Sequence, residues 1–159
     1  MSEAFKEIER KFLVTSEAFR EEAFQSERIA QGFLSSVPER TVRVRLAGER
    51  GYITVKGLGD ASGASRFEWE KEISPKEAAA LLQLCEPGLI EKTRYFVRSE
   101  KYVFEVDVFE GENQGLIIAE IELPDETQPF ARPSWLGEEV TGQVEYYNAA
   151  LAGHPYSKW

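Results

Sequence analysis

Charged and hydrophobic residues alternate with a period of two along much of this chain, the pattern of β-strands with one polar and one apolar face. In Glu7-Ile8-Glu9-Arg10-Lys11-Phe12-Leu13-Val14 the alternation sets Glu7, Glu9 and Lys11 on a single face. Arg43 and Arg45 alternate with Val42, Val44 and Leu46, and Lys56 follows Tyr52 and Thr54 opposite Ile53 and Val55. Glu68 and Glu70 interleave with Phe67 and Trp69. Lys92 and Arg94 lie in Glu91-Lys92-Thr93-Arg94-Tyr95-Phe96-Val97, Glu105 and Asp107 in Phe104-Glu105-Val106-Asp107-Val108, and Glu120 and Glu122 in Ala119-Glu120-Ile121-Glu122-Leu123. Strands are expected at roughly 5–14, 28–35, 40–47, 51–57, 65–73, 89–99, 101–109 and 115–123, an even set suited to an antiparallel barrel.

Turn chemistry divides these segments: Pro38, Gly48 to Gly51, Gly57 to Gly63 and Gly111 to Gly115. Ser74-Pro75-Lys76-Glu77 reads as a helix start, with Ser as N-cap, Pro at the first position and Glu closing a capping box. That helix is expected to run to about residue 85. A shorter helix is expected after Thr15 or Ser16. A last one is expected over roughly 141–151, with Val144, Tyr147 and Leu151 covering the outside of the barrel or plugging one end.

The signs of the charges change the picture. One charged face is an ordinary solvated surface of an antiparallel sheet. Here, however, Arg43/Arg45 and Lys92/Arg94 are pure cation pairs while Glu7/Glu9 and Glu120/Glu122 are pure anion pairs, whereas typical surfaces intersperse both signs. Closed with those faces inward, the sheet makes a polar tunnel with a cationic zone for a polyanion and a carboxylate zone for a hard cation such as Mg²⁺ or Mn²⁺. A metal-complexed chain of phosphates fits both.

Composition bounds the remaining options. At 159 residues and 42% hydrophobic, the chain supports one full core and is read as one domain over 1–159, with the barrel at about 5–123. Nineteen Lys and Arg against 28 Asp and Glu give a net charge of -9, which argues against binding nucleic acid or an anionic membrane. No apolar run approaches the ~20 residues of a membrane helix, and Met1-Ser2-Glu3-Ala4-Phe5-Lys6 lacks a signal-peptide core, so a cytoplasmic protein is expected. The lone Cys85 reads as core filler and the lone His154 as a terminal residue outside the charged strands, which leaves carboxylates, Lys, Arg and metal to do any chemistry. Gly57-Leu58-Gly59-Asp60-Ala61-Ser62-Gly63 matches neither the dinucleotide nor the Walker pattern and is read as a hairpin connection.

The opening Glu7-Ile8-Glu9-Arg10-Lys11-Phe12-Leu13-Val14 resembles the ExExK signature of CYTH-domain proteins, the triphosphate tunnel metalloenzymes, and is most similar to their short bacterial inorganic triphosphatase-like members. Specificity comes from order, since Arg43-Val44-Arg45, Thr54-Val55-Lys56, Glu68-Trp69-Glu70, Glu91-Lys92-Thr93-Arg94-Tyr95, Glu105-Val106-Asp107-Val108-Phe109 and Ala119-Glu120-Ile121-Glu122 follow as in that family. The resemblance runs from Glu7 to Leu151. It implies an α+β, mainly β fold: an eight-stranded antiparallel β-barrel tunnel with a few flanking helices. It also implies Lys11, Arg43, Arg45, Lys56, Lys92 and Arg94 on phosphate oxygens, and Glu7, Glu9, Asp107, Glu120 and Glu122 on two Mg²⁺ or Mn²⁺ ions. Glu68 and Glu70 would be accessory carboxylates.

In related tunnel phosphatases a lysine at the position of Lys11 acts with a tyrosine on the attacking water. The matching segment here is Gln31-Gly32-Phe33-Leu34, and Phe33 has no hydroxyl. Lys11, kept protonated by Glu7 and Glu9, is expected to orient or polarise water and not to serve as the free base. The leading activity is metal-dependent hydrolysis of inorganic triphosphate (tripolyphosphate) to pyrophosphate and phosphate, by a monomer or homodimer. The alternatives are a nucleoside or thiamine triphosphatase, a class IV adenylate cyclase, and a non-catalytic polyphosphate or nucleotide binding module.

Overall fold

A computed structural model describes residues 3–159; Met1 and Ser2, the first residues of the segment read as lacking a signal-peptide core, lie outside the described residues. The described residues form nine strands: β1 (Lys6–Val14), β2 (Gln25–Ser35), β3 (Arg40–Ala47), β4 (Arg50–Gly57), β5 (Ser65–Ile73), β6 (Ile90–Ser99), β7 (Tyr102–Phe109), β8 (Ile117–Glu122) and β9 (Leu136–Glu139). Three α-helices accompany them: α1 (Phe19–Glu22), α2 (Pro75–Leu82) and α3 (Asn148–Gly153). The hydrogen-bonded order is β5-β4-β3-β2-β6-β7-β8-β1-β9, and β1 also pairs with β5. That last pairing, Lys6 opposite Phe67 and Ile8 opposite Ser65, closes eight antiparallel strands into a barrel.

The barrel is apolar outside and charged along its inside except at one end. Phe12, Phe104, Val106 and Ile121 point outward from the wall and are buried under Phe19 of α1 and under Trp135. Each such large apolar side chain contributes about 1.5–3 kcal/mol when removed from water. A second apolar patch, Ile90, Phe109, Leu116 and Ile118, lies at one end of the barrel, where Ile90, Phe109 and Ile118 share the inward parity of Lys92, Asp107 and Glu120, and Leu151 of α3 plugs that end. Because side chains alternate across a strand, burying the apolar set on the outside forces the charged set into the lumen.

Several boundaries differ from those the sequence predicts. β2 begins at Gln25, ahead of the expected 28, because Gln25 to Ile29 pair with Phe96 to Lys92. β9 is an unpredicted ninth strand that adds alongside β1, Phe12 opposite Glu139; its four residues, Leu-Gly-Glu-Glu, carry no alternation. The expected long C-terminal helix over 141–151 is instead a 3-10 turn, Val144–Tyr146, followed by α3. Gly142 at φ +80 bends the chain just before the turn, and the extended Tyr147 separates turn from helix. Helix α2 has the capping box its sequence promised, with Ser74 and Glu77 exchanging hydrogen bonds at 3.0 Å each.

Candidate active site

A cavity of about 700 Å³ runs through the barrel. Glu7, Glu9 and Lys11 from β1 line it, as do Arg43 and Arg45 from β3 and Lys56 from β4. Glu68 and Glu70 of β5, Lys92 and Arg94 of β6, and Glu120 and Glu122 of β8 line it as well. Of the thirteen residues singled out in the sequence, Asp107 alone is absent from this lining.

One wall is cationic and incompletely neutralised. Arg43 donates from Nη2 to Thr54 Oγ1 at 3.1 Å and to Glu70 Oε2 at 3.4 Å, while its buried Nε has no hydrogen-bond partner among the described residues. Arg45 donates from Nε to the neutral amide oxygen of Gln31 at 3.1 Å, and among the described residues no carboxylate forms an ion pair with it. Burial, reinforced by Arg43 and Arg94, pulls its pKa down to about 9. An arginine half-buried on a cavity wall without a carboxylate partner is a charge awaiting a counter-ion.

Asp107 departs from its expected place on a metal. It is 1% exposed, and both of its oxygens are taken: Oδ1 accepts from Arg94 Nε at 2.7 Å, while Oδ2 accepts from Arg94 Nη2 at 2.9 Å and meets Lys92 Nζ at 2.7 Å. It therefore sits behind two cations and holds them up to the lumen. Burial opposes its charge, but Arg94 and Lys92 keep its pKa below the usual carboxylate range. Burial also lowers Lys92 against the pull of Asp107, with Arg94 and Arg45 adding to the drop.

The opposite wall is rich in carboxylates. Glu9 faces Glu122 and Lys11 faces Glu120 across β1 and β8. Lys11 Nζ lies 2.9 Å from Glu120 Oε2 and 3.6 Å from Glu9 Oε1, and Lys56 Nζ lies 3.0 Å from Glu7 Oε1 and 3.3 Å from Glu68 Oε2. Burial and the neighbouring carboxylates Glu120 and Glu7 raise the pKa of Glu9 well above normal. Burial and Glu7 push Glu68 up to about 7, and burial with Glu7 and Glu105 raises Glu122. Glu7 is the reverse case: burial opposes its charge, yet Lys56 brings it down to about 2. Burial likewise disfavours the charge on Lys11, but Glu120 and Glu9 hold its pKa above the ordinary ammonium range.

Carboxylates that crowd together and retain protons are suited to a hard divalent cation, which would relieve their repulsion. Among the described residues no three of them already converge as a cation cage; two ammonium groups, Lys11 and Lys56, stand between them. The donor set, all oxygen, fits Mg²⁺ or Mn²⁺ better than a soft metal.

The structure gives several further residues a place in or behind the lining. Arg66 shares the parity of Glu68 and Glu70 on β5 and could have been found by extending that alternation. Gln31 is fully buried on β2 opposite Arg45. Phe33 lines the cavity opposite Arg43, but the aromatic ring beside Lys11 is that of Tyr147, whose centroid is 5.6 Å from Lys11 Nζ and 5.7 Å from the Arg66 guanidinium carbon. Asn148 follows it into the cavity. No sequence alternation points to Tyr147 or Asn148, because the C-terminal segment reaches the lumen only through the packing of Leu151.

Comparison with known proteins agrees with this geometry. The inorganic triphosphatase of Acetivibrio thermocellus is 46% identical, the match covering 97% of each chain. That of Nitrosomonas europaea is 37% identical over 92% of this chain and 96% of its own. A crystal structure of an inorganic triphosphatase superposes with a TM-score of 0.62 at 33% identity, over 91% of this chain and 96% of that one. The CYTH domain family matches residues 6–151, which span the barrel and most of the C-terminal segment, and the chain belongs to that family.

Proposed function

We propose that this protein hydrolyses inorganic triphosphate to pyrophosphate and phosphate inside the barrel, with Mg²⁺ or Mn²⁺. The observation that carries the reading is Arg45, half-buried beside Arg43 without a carboxylate partner, on a wall that faces crowded carboxylates of which Glu9, Glu68 and Glu122 have raised pKa values. A chain of phosphates carrying divalent cations supplies what both walls lack. The activity named for two relatives, at 46% and 37% identity over nearly whole chains, supports the same reading.

In this reading Arg43, Arg45 and Arg94 bind phosphate oxygens through their planar forks, and Lys92 and Lys56 make point contacts. Asp107 orients Lys92 and Arg94. Two divalent ions, held by Glu9, Glu120 and Glu122 with Glu7, Glu68 and Glu70 along the same wall, would neutralise charge on the phosphoryl oxygens and polarise the reacting group. Lys11, kept protonated by Glu120 and Glu9, orients the attacking water by hydrogen bonding and is not the free base. Water attacks the terminal phosphorus, the bond to the bridging oxygen breaks, and pyrophosphate leaves.

Phosphate release from tripolyphosphate, ATP, thiamine triphosphate and long-chain polyphosphate, each with Mg²⁺ or Mn²⁺, tests the reading. Tripolyphosphate is expected to be the preferred substrate, with no release in EDTA and loss of turnover by about 100-fold or more in Glu122→Ala. Tight binding without release from any of the four would make the protein a binding module. Faster release from ATP or thiamine triphosphate would reassign the substrate.

A further inference from the structure

Asn148 sits at a junction of the tunnel wall. Its Oδ1 accepts from Gln31 Nε2 at 2.8 Å and from Lys92 Nζ at 3.0 Å. Gln31 Oε1 in turn accepts from Arg45 Nε at 3.1 Å. Both ends of this chain are obligate donors, since neither an ammonium nor a guanidinium has an acceptor atom. The polarity of the two amides between them is therefore fixed. Gln31 must turn its oxygen to Arg45 and its nitrogen to Asn148, and Asn148 must turn its oxygen to Gln31 and Lys92.

The consequence falls on the other half of the Asn148 amide. Its nitrogen faces away from Gln31 and Lys92, on a residue that lines the cavity, and it has no hydrogen-bond partner among the described residues. Two N–H donors are thus held beside Lys92 at the barrel end crossed by the C-terminal segment. Leu151, 1% exposed among Ile90, Phe109, Leu116 and Ile118, anchors α3 and keeps them there.

We propose that Asn148 is a substrate-binding residue, whose side-chain amide nitrogen donates to an oxygen of the phosphoryl group nearest the end of the tunnel covered by α3, while its carbonyl oxygen braces Lys92 and, through Gln31, Arg45. This rests on the triphosphate reading above and assigns a role in it to the C-terminal segment. A neutral donor suits this position, because it adds a contact for the anion without adding another cation beside Lys92, Arg45 and Arg94.

The test is binding of inorganic tripolyphosphate by calorimetry in EDTA, with steady-state kinetics in Mg²⁺ alongside. Asn148→Ala is expected to weaken binding by about 10-fold or more and to raise KM more than it lowers kcat, with a thermal midpoint lowered by a few degrees because Gln31 Nε2 loses its acceptor. A double-mutant cycle with Lys92→Met, which keeps the aliphatic stem, separates contact from bracing. In the Lys92→Met background Asn148→Ala should still weaken binding several-fold. No further loss there would mean that Asn148 acts only through Lys92, and the proposal fails. Should Lys92→Met not fold, the same cycle with Lys92→Leu decides by the same rule. Unchanged affinity and KM in Asn148→Ala alone also overturn it. A wild type that binds tripolyphosphate in this assay but releases no phosphate sinks the hydrolase reading and leaves the Asn148 contact to be judged by the binding data. A wild type that neither binds it in EDTA nor releases phosphate with Mg²⁺ sinks both, and one that turns it over without binding it in EDTA leaves the KM and kcat of Asn148→Ala to decide.

Discussion

Arg45 and Asp107 show how pairing decides what a charged side chain does at the scale of single residues. Asp107 is saturated by Arg94 and Lys92 at 2.7–2.9 Å, so it is a fixed strut whose loss would strand two buried cations. Arg45 has one neutral partner and a depressed pKa, so its loss relieves the fold. Arg45→Met is therefore expected to leave the thermal midpoint unchanged or raise it by a few degrees, and to weaken tripolyphosphate binding by about 10–100-fold. Asp107→Asn should do the reverse at first sight, lowering the midpoint before any ligand is added, since the charge on Lys92 and Arg94 is then uncompensated. Thermal melts and calorimetry on the two variants give both numbers. An Arg45→Met protein that melts several degrees lower and binds as tightly as wild type would contradict the assignment.

Elements outside and across the barrel differ in what they can affect. Helix α2 lies on the outer wall, where Ala78 packs against Gly51. Ser74→Ala, which removes its capping box, is expected to cost about 1 kcal/mol by chemical denaturation and to leave KM unchanged. The β4–β5 connection is different, because it meets the C-terminal segment over the cavity. A Cβ on Gly63 would lie 2.3 Å from the Gly142 Cα, and Gly63 has φ +76. Gly63→Ala must therefore push the two segments apart as well as strain the backbone, at a cost of about 1–3 kcal/mol. It should raise KM for tripolyphosphate along with lowering stability, whereas Ser74→Ala moves stability alone. Equal KM values for the two variants would show that the contact over the cavity has no part in binding.

At the scale of the whole molecule, a net charge of -9 opposes the entry of a polyanion and must be overcome locally. The carboxylate wall also makes stability depend on pH. Glu9, Glu68 and Glu122 have raised pKa values in the folded protein, with Glu68 near 7. Between about 4.5 and 7 the folded state thus holds protons that the unfolded state has released, and stability falls as pH rises through that window. Glu7, lowered to about 2, acts below it: the stability it contributes is present above about 4.5 and is lost as pH falls towards 2. The metal-free thermal midpoint is expected to peak on the acid side of neutrality, near pH 5. Mg²⁺ or Mn²⁺ should raise the midpoint more at pH 8 than at pH 5, because protons compete for the same oxygens. A midpoint that climbs steadily from pH 5 to pH 8 without metal would remove the carboxylate wall as its cause. Among the described residues no helix is long and apolar enough to cross a membrane.

The charged alternation Glu7-Glu9-Lys11, Arg43-Arg45, Glu68-Glu70 and Lys92-Arg94 was legible because a strand has a period of two, so parity alone decides which residues share a face. It carried the barrel and most of the lining. The ordered blocks from Glu7 to Leu151 carried the family. Parity does not tell which charges on that face meet a ligand and which meet each other. Asp107 and Glu105 share a face, yet Asp107 lies behind Arg94 and Lys92 while Glu105 lines the cavity. Only strand register and barrel closure decided that, by setting Arg94 directly opposite Asp107. Tyr147 and Leu151 were read as residues that cover the barrel or plug one end, but the cation contacts of Tyr147, the place of Asn148 and strand β9 were out of reach of the sequence, since they come from irregular or very short segments placed by long-range packing of Leu151 and by pairing with β1. The sequence by itself determined a charged lumen, because local alternation encodes faces; the tertiary structure decided which of its charges are neutralised, because that depends on distances between segments far apart in the chain.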